Sequence, residues 1–181
     1  MKGVVFRGLE ALVIETQGMA AWEGLLDKHA PEDRVYISAQ SYPDEELFAM
    51  AKDVADILEK PFVDVLRIFG EYLFGYLTEK HAGMLQQFSG FQSLILGIDS
   101  VIHAEVAKLY HEPNLPLISS ELIKPGCILL KYSSCRKLCF CAEGLIYGAG
   151  SHYGVNTQIE HQQCMHDGYD HCRLLLTFEE G

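Results

Sequence analysis

The stretch Cys127-Ile128-Leu129-Leu130-Lys131-Tyr132-Ser133-Ser134-Cys135-Arg136 decides the fold class. It follows the turn signal Pro125-Gly126 and is rich in aliphatic and aromatic residues without a helical period, so it reads as a strand. The same character continues to Cys141, and residues 126–141 are predicted as strands. Gln158–Gln162 and Cys172–Phe178 add two more, with a short helix over Leu145–Val155 between. Upstream, Pro113, Pro116 and Pro125 break the chain. Before them the pattern is helical. Val5, Leu9, Leu12, Val13 and Thr16 keep a 3.6-residue period that Gly18 ends. A second helix spans Met19–Ala30 and stops at Pro31. Ser41-Tyr42-Pro43-Asp44-Glu45-Glu46 is a start signal for a third that runs to about Lys60, with acids in its first turn. Pro61 opens a fourth, with Phe62, Leu66, Phe69, Leu73 and Leu77 on one face. A long helix over Phe91–Tyr110 closes the series. The fold class is α+β: an N-terminal helical subdomain followed by a small antiparallel sheet with helices.

The chain has 181 residues, 49% of them apolar, enough to bury a real core. Its 14 Lys+Arg against 25 Asp+Glu give a formal charge of −11. A surface that acidic repels phosphate backbones, which argues against nucleic acid as a partner. The apolar runs are far shorter than the roughly 18 residues a membrane span needs. Arg7 and Glu10 interrupt the N-terminal apolar stretch, so it does not read as a signal peptide. The expected compartment is the cytoplasm. All six cysteines lie at or beyond residue 127, and in a reducing compartment such crowding points to metal or redox chemistry rather than disulfides.

Three constellations carry chemistry. His103 sits in the most apolar helix, on one face with Leu96, Asp99, Val106 and Tyr110. It reads either as a core histidine bonded to Asp99 or as an axial ligand to a metal or heme iron, for which a neutral imidazole on a rigid helix is suited. Tyr132, Ser134 and Arg136 alternate along the strand. They form either a polar solvent face or a row of donors about 13 Å long that can hold two carboxylates, with Arg136 supplying a bidentate pair. Finally, His161-x-x-Cys164-x7-Cys172 needs one upstream cysteine to complete a closed Cys3His zinc site. Cys135, Cys139 and Cys141 are the candidates, His166 and His171 compete for the histidine position, and free buried thiols are the bland alternative.

A helical histidine at 103, Pro116, and then Tyr-x-Ser-x-Arg at 132–136 resemble the H-NOX family, the heme nitric oxide/oxygen-binding domains related to the heme domain of soluble guanylate cyclase. The resemblance begins at Met1-Lys2-Gly3, covers the whole chain, and matches stand-alone bacterial members in size. It implies heme b between a distal helical part (1–62) and a proximal helix-and-sheet part (63–181). His103 is then the iron ligand, and Tyr132, Ser134 and Arg136 the propionate clamp. Pro116 and Val5 are contacts on the macrocycle. Oxygen-binding members carry a distal tyrosine where this sequence has Cys141, with Leu73 and Leu9 at the flanking positions. That implies binding of nitric oxide and carbon monoxide and rejection of dioxygen, unless Tyr147 or Tyr72 supplies a donor. The zinc set preferred on this alignment is Cys139, His161, Cys164 and Cys172, because Cys141 falls in the distal pocket and Cys135 inside the clamp.

The expected function is a heme-based gas sensor, not itself an enzyme, that regulates a separate histidine kinase or cyclic-di-GMP enzyme. The alternative is a zinc/thiol redox sensor built on the Cys3His set. A hydrolytic zinc enzyme is weaker, because four protein ligands leave no open position and no carboxylate base stands at motif spacing.

Overall fold

Each helix of the N-terminal half begins or ends where the local chemistry dictates. The computed structural model describes residues 1–110 and 114–179. Helix α1 spans Gly3–Gln17 and buries Phe6, Leu9, Leu12 and Val13 along one stripe. Gly18, at φ 86°, both ends it and precedes α2, Met19–His29. Helix α3, Asp44–Ile57, follows Pro43 and carries Asp44, Glu45 and Glu46 in its first turn, where the helix dipole favours them. Helix α4, Phe62–Lys80, follows Pro61 and buries Val65, Leu66, Phe69 and Leu73.

The predicted long helix over Phe91–Tyr110 is not continuous. It divides into α5 (Phe91–Gly97), a π-helical turn (Ile98–His103) and α6 (Ala104–Leu109). Gly97, a weak helix former, sits at the junction, and its Cα faces the Phe88 ring so closely that a Cβ would lie 2.5 Å from it. Pro113, read as a chain break, lies outside the described residues.

Four antiparallel strands follow: β1 (Leu117–Lys124), β2 (Cys127–Ser133), β3 (Asn156–Gln163) and β4 (Cys172–Glu179), in the order β1-β2-β4-β3. Two sequence expectations are corrected here. Strand β1 is not among the strands expected from sequence, because most of its side chains are exposed on a sheet edge and show no strong period. The strand reading of 126–141 runs too far: β2 ends at Ser133, and Cys139 already opens α7 (Cys139–Tyr153), six residues before the expected helix.

Buried apolar side chains fall into two clusters. One gathers α1–α4, with Cys141 reaching in from α7. The other gathers α5, the sheet and the inner face of α7. The two meet where α4 crosses α7. Small residues bring these backbones together: a Cβ on Gly144 would stand 2.0 Å from the carbonyl oxygen of Arg67, and one on Gly70 2.2 Å from that of Cys141. Backbone cannot yield as a side-chain tip does, so Gly144→Ala is expected to destabilise by about 3 kcal/mol or more. Chemical denaturation measures it, and a loss below about 0.5 kcal/mol would show that the crossing is loose.

Candidate functional site

His103 closes the π-helical turn. Its side chain is 15% exposed, and its Nδ1 stands 3.3 Å from Asp99 Oδ1. Burial lowers the imidazole pKa and outweighs the Asp99 carboxylate, which raises it. The ring is therefore neutral at pH 7. The carboxylate accepts the Nδ1 proton and leaves the lone pair on Nε2. A neutral imidazole held in that tautomer by a second-sphere carboxylate is what an axial metal ligand requires. The core-histidine reading and the ligand reading thus share one hydrogen bond, and it serves both.

The residues expected to form the clamp are gathered by a turn rather than by one strand face. Tyr132 lies in β2 and is buried, and its hydroxyl accepts the Leu138 backbone N–H at 3.2 Å. Burial raises its pKa to about 12. Ser134 lies past the strand end, and its Oγ accepts the Arg136 N–H at 3.2 Å. Arg136 Nε donates to Asp44 Oδ2 at 2.6 Å, and Nη1 donates to the Asn114 carbonyl at 2.6 Å. Among the described residues, Nη2 is left for a ligand carboxylate. The Met1 ammonium also pairs with Asp44. Burial pushes the Asp44 carboxyl up, but Arg136 and the chain terminus together hold it below the usual carboxylate range. Asp44 thereby ties the starts of α1 and α3 to the clamp loop. In the sequence Asp44 reads only as a first-turn acid, since nothing local links it to a residue 92 positions away. Pro116 is half-buried directly before β1. Val5 is half-buried on α1, against the helical cluster.

Leu9, Leu73 and Cys141 are all buried and belong to the same helical cluster. Leu73 Cδ1 abuts Gly8, where a Cβ would be 2.6 Å away. Burial raises the Cys141 thiol to about 12, so it stays protonated, a weak donor at best. Of the two tyrosines that could supply a donor, Tyr72 donates to Glu15 Oε2 at 2.9 Å on an exposed surface, and Tyr147 is half-buried on α7.

Cys139, His161, Cys164 and Cys172 converge, with their ligand atoms all within 4.8 Å of one another. The Cys139–Cys164 sulfurs are 3.8 Å apart and Cys164–Cys172 4.0 Å. Tetrahedral zinc–sulfur bonds of about 2.3 Å place sulfurs ~3.8 Å apart, close to the two sulfur separations here, so the set suits such an ion once its widest-spaced ligand atoms draw in. Cys139 starts α7, Cys164 follows β3, and Cys172 opens β4; the β3 bulge between His161 and Gln163 lies next to the site. Buried His161 Nε2 has no hydrogen-bond partner. Burial first, then the neighbouring thiols, push Cys139 above the ordinary thiol range, and burial does the same to Cys172. Thiols held so close thus stay protonated until a cation displaces their protons. The competitors face elsewhere: His166 Nε2 donates to the Lys137 carbonyl at 2.9 Å, His171 pairs with Asp170, and Cys135 is exposed. Glu143, which accepts from His161, was missed in the sequence, although a lone acid inside an apolar helix four residues after Cys139 is a usable signal.

Comparison with known proteins bears on the family and the fold. The family model described as Haem-NO-binding matches residues 2–161. An H-NOX protein from Shewanella oneidensis, solved in the Fe(II)NO ligation state, is 49% identical, with a TM-score of 0.97 over 99% of this chain and 100% of that one. The H-NOX domain from the same organism in the Fe(II)CO state is 49% identical, with a TM-score of 0.93 over all of both chains. An H-NOX from Shewanella woodyi, bound to IWP-051 in the Fe(II)CO state, is 29% identical, with a TM-score of 0.85 over 98% of this chain and 94% of that one. No curated protein matches the chain.

Proposed function

The chain belongs to the Haem-NO-binding family, the H-NOX heme gas-sensor domains, and on that premise we propose that it senses nitric oxide at ferrous heme b held by His103 and signals to a separate enzyme. The observation that carries the reading is the His103 imidazole: neutral, half-enclosed, and fixed by Asp99 so that Nε2 is the ligating nitrogen. Arg136, Tyr132 and Ser134 hold the propionates in this reading, and Val5 and Pro116 touch the macrocycle from the distal part (1–62) and the proximal part (63–181). Bound heme supplies an iron centre that takes diatomic gases.

The chain's own residues set which gas. Dioxygen at ferrous heme depends on a hydrogen-bond donor, because it carries partial negative charge; nitric oxide and carbon monoxide do not. Leu9 and Leu73 offer no donor and Cys141 only a weak one, and the missing bond is worth roughly 1–3 kcal/mol. The ferrous protein is therefore expected to bind nitric oxide and carbon monoxide, while air produces no stable dioxygen complex. Absorbance spectra in gas-equilibrated buffer test this, and a persistent oxygenated spectrum in air would overturn the selectivity.

No helix among the described residues is long and apolar enough to cross a membrane. We place the sensor in the cytoplasm, acting on a histidine kinase or a cyclic-di-GMP enzyme rather than catalysing a reaction itself. His103 moves the signal: its turn continues directly into α6, and Asp99 on the same turn borders β1 in a small cavity with Leu117 and Ile118. A coupling of roughly 1–3 kcal/mol between gas and partner suffices for such a switch.

The Cys139, His161, Cys164 and Cys172 set supports a second element, one structural zinc per chain. The same thiols favour the alternative role, a zinc/thiol redox sensor, because three sulfurs spaced at about 4 Å are also poised for oxidation once the metal leaves.

A further inference from the structure

We propose that Glu143 and Arg67 form a buried relay that fixes His161 as a metal ligand and anchors the thiol site to helix α4. The proposal rests on the zinc reading above and adds residues that no ligand set contains. Glu143 is 3% exposed, inside α7. Its Oε1 accepts from His161 Nδ1 at 2.5 Å, and its Oε2 accepts from Arg67 Nε at 2.6 Å. A carboxylate paired with a guanidinium can only accept, so the His161 proton lies on Nδ1 and the lone pair on Nε2. That nitrogen is buried without a hydrogen-bond partner, and His161 is grouped with the three cysteines. The carboxylate thus selects both the tautomer and the ring orientation that a cation needs.

Arg67 is itself fixed. Nη1 donates to Asp64 Oδ1 at 2.7 Å, and the guanidinium lies 4.8 Å over the Phe140 ring. Phe140 also borders His161, at 5.6 Å between ring centroids. The Arg67 carbonyl faces the Gly144 Cα, immediately after Glu143, at the closest approach of α4 and α7. The relay therefore runs between two backbones already in contact. Three residues beyond Gly70 on α4, Leu73 is buried in the helical cluster with Leu9 and Cys141, so one helix carries both the anchor of the metal site and a residue proposed to line the gas pocket.

Chelator competition with Zn(II) and the visible bands of Co(II) measure the affinity in the wild type, Glu143→Gln, Glu143→Ala and Arg67→Lys. Glu143→Ala is expected to weaken the metal 10–100-fold, the range seen when an outer carboxylate is lost. Glutamine can accept from one donor but must turn its amide NH2 toward the other, so Glu143→Gln is expected to fall between. Arg67→Lys keeps the charge and loses the fixed fork, giving a smaller loss in the same direction. A readout independent of metal is the ring nitrogen NMR shifts of His161 in reduced, metal-free protein. They should report Nδ1–H in the wild type and a mixture in Glu143→Ala. Wild-type affinity retained within twofold in a folded Glu143→Ala protein, with the tautomer unchanged, overturns the relay alone. A wild type that binds neither Zn(II) nor Co(II) overturns the zinc reading and the relay with it.

Discussion

His103→Gly is expected to abolish protein ligation of ferrous heme, so that the histidine-ligated spectrum disappears and returns only when free imidazole is added. The effect should be complete rather than graded. No other described histidine stands in that turn, and the Asp99 carboxylate that holds the ring would be left facing solvent, where it is already largely exposed. Glycine leaves room for a free imidazole on the same path. The fold should survive, because His103 belongs to neither buried apolar cluster. An unchanged ferrous spectrum in His103→Gly without added imidazole would remove His103 from the site.

The second large effect is on zinc. One zinc per chain is expected in reduced, freshly purified protein, falling to none in Cys164→Ala. Cys164 is the central sulfur, close to both Cys139 and Cys172, so its loss breaks the set from the middle. Cys172→Ala should act alike. Cys127→Ala should leave the metal bound: that cysteine is buried but pairs with Thr177 across the sheet, apart from the cluster. Structural zinc in small folded sites is worth on the order of 10 kcal/mol, so partial occupancy in the variant is not expected. Elemental analysis decides. Wild type without zinc, or Cys164→Ala with it, contradicts the site.

The N-terminal helices were legible because each buries one stripe, giving α1 and α4 a clear period and clear punctuation at Gly18 and Pro61. The start of α7 was not. Leu138-Cys139-Phe140-Cys141 is apolar on every side because it packs against both clusters, and a helix buried all round looks like a strand over four residues. Gly144, Gly148 and Gly150 then disguise the rest of that helix. They stand there for close packing, Gly144 and Gly148 against α4 and Gly150 against Thr157, and not because the helix ends. The π-helical turn at 98–103 leaves no trace in the sequence, since its hydrogen-bond pattern depends on what the segment packs against. His161, Cys164 and Cys172 stand out by spacing, because candidate ligands are chemically distinctive, whereas Cys139 is preferred over Cys135 and Cys141 only on the family alignment; the structure brings these four together. The groups proposed to orient His161 do not stand out, since Arg67 and Glu143 lie 76 residues apart and each alone looks like a surface charge. Tyr132, Ser134 and Arg136, proposed as the clamp, read as one strand face in the sequence, but the left-handed turn that ends at Lys137 (φ 49°) gathers residues a straight strand would spread.

The most direct test of the central claim is the absorbance spectrum of the anaerobic, reduced protein before and after one equivalent of nitric oxide. The account predicts a Soret band of five-coordinate, histidine-ligated ferrous heme that shifts to a nitrosyl spectrum on adding the gas. A colourless protein after heme reconstitution, or a Soret band that nitric oxide leaves unmoved, would contradict it.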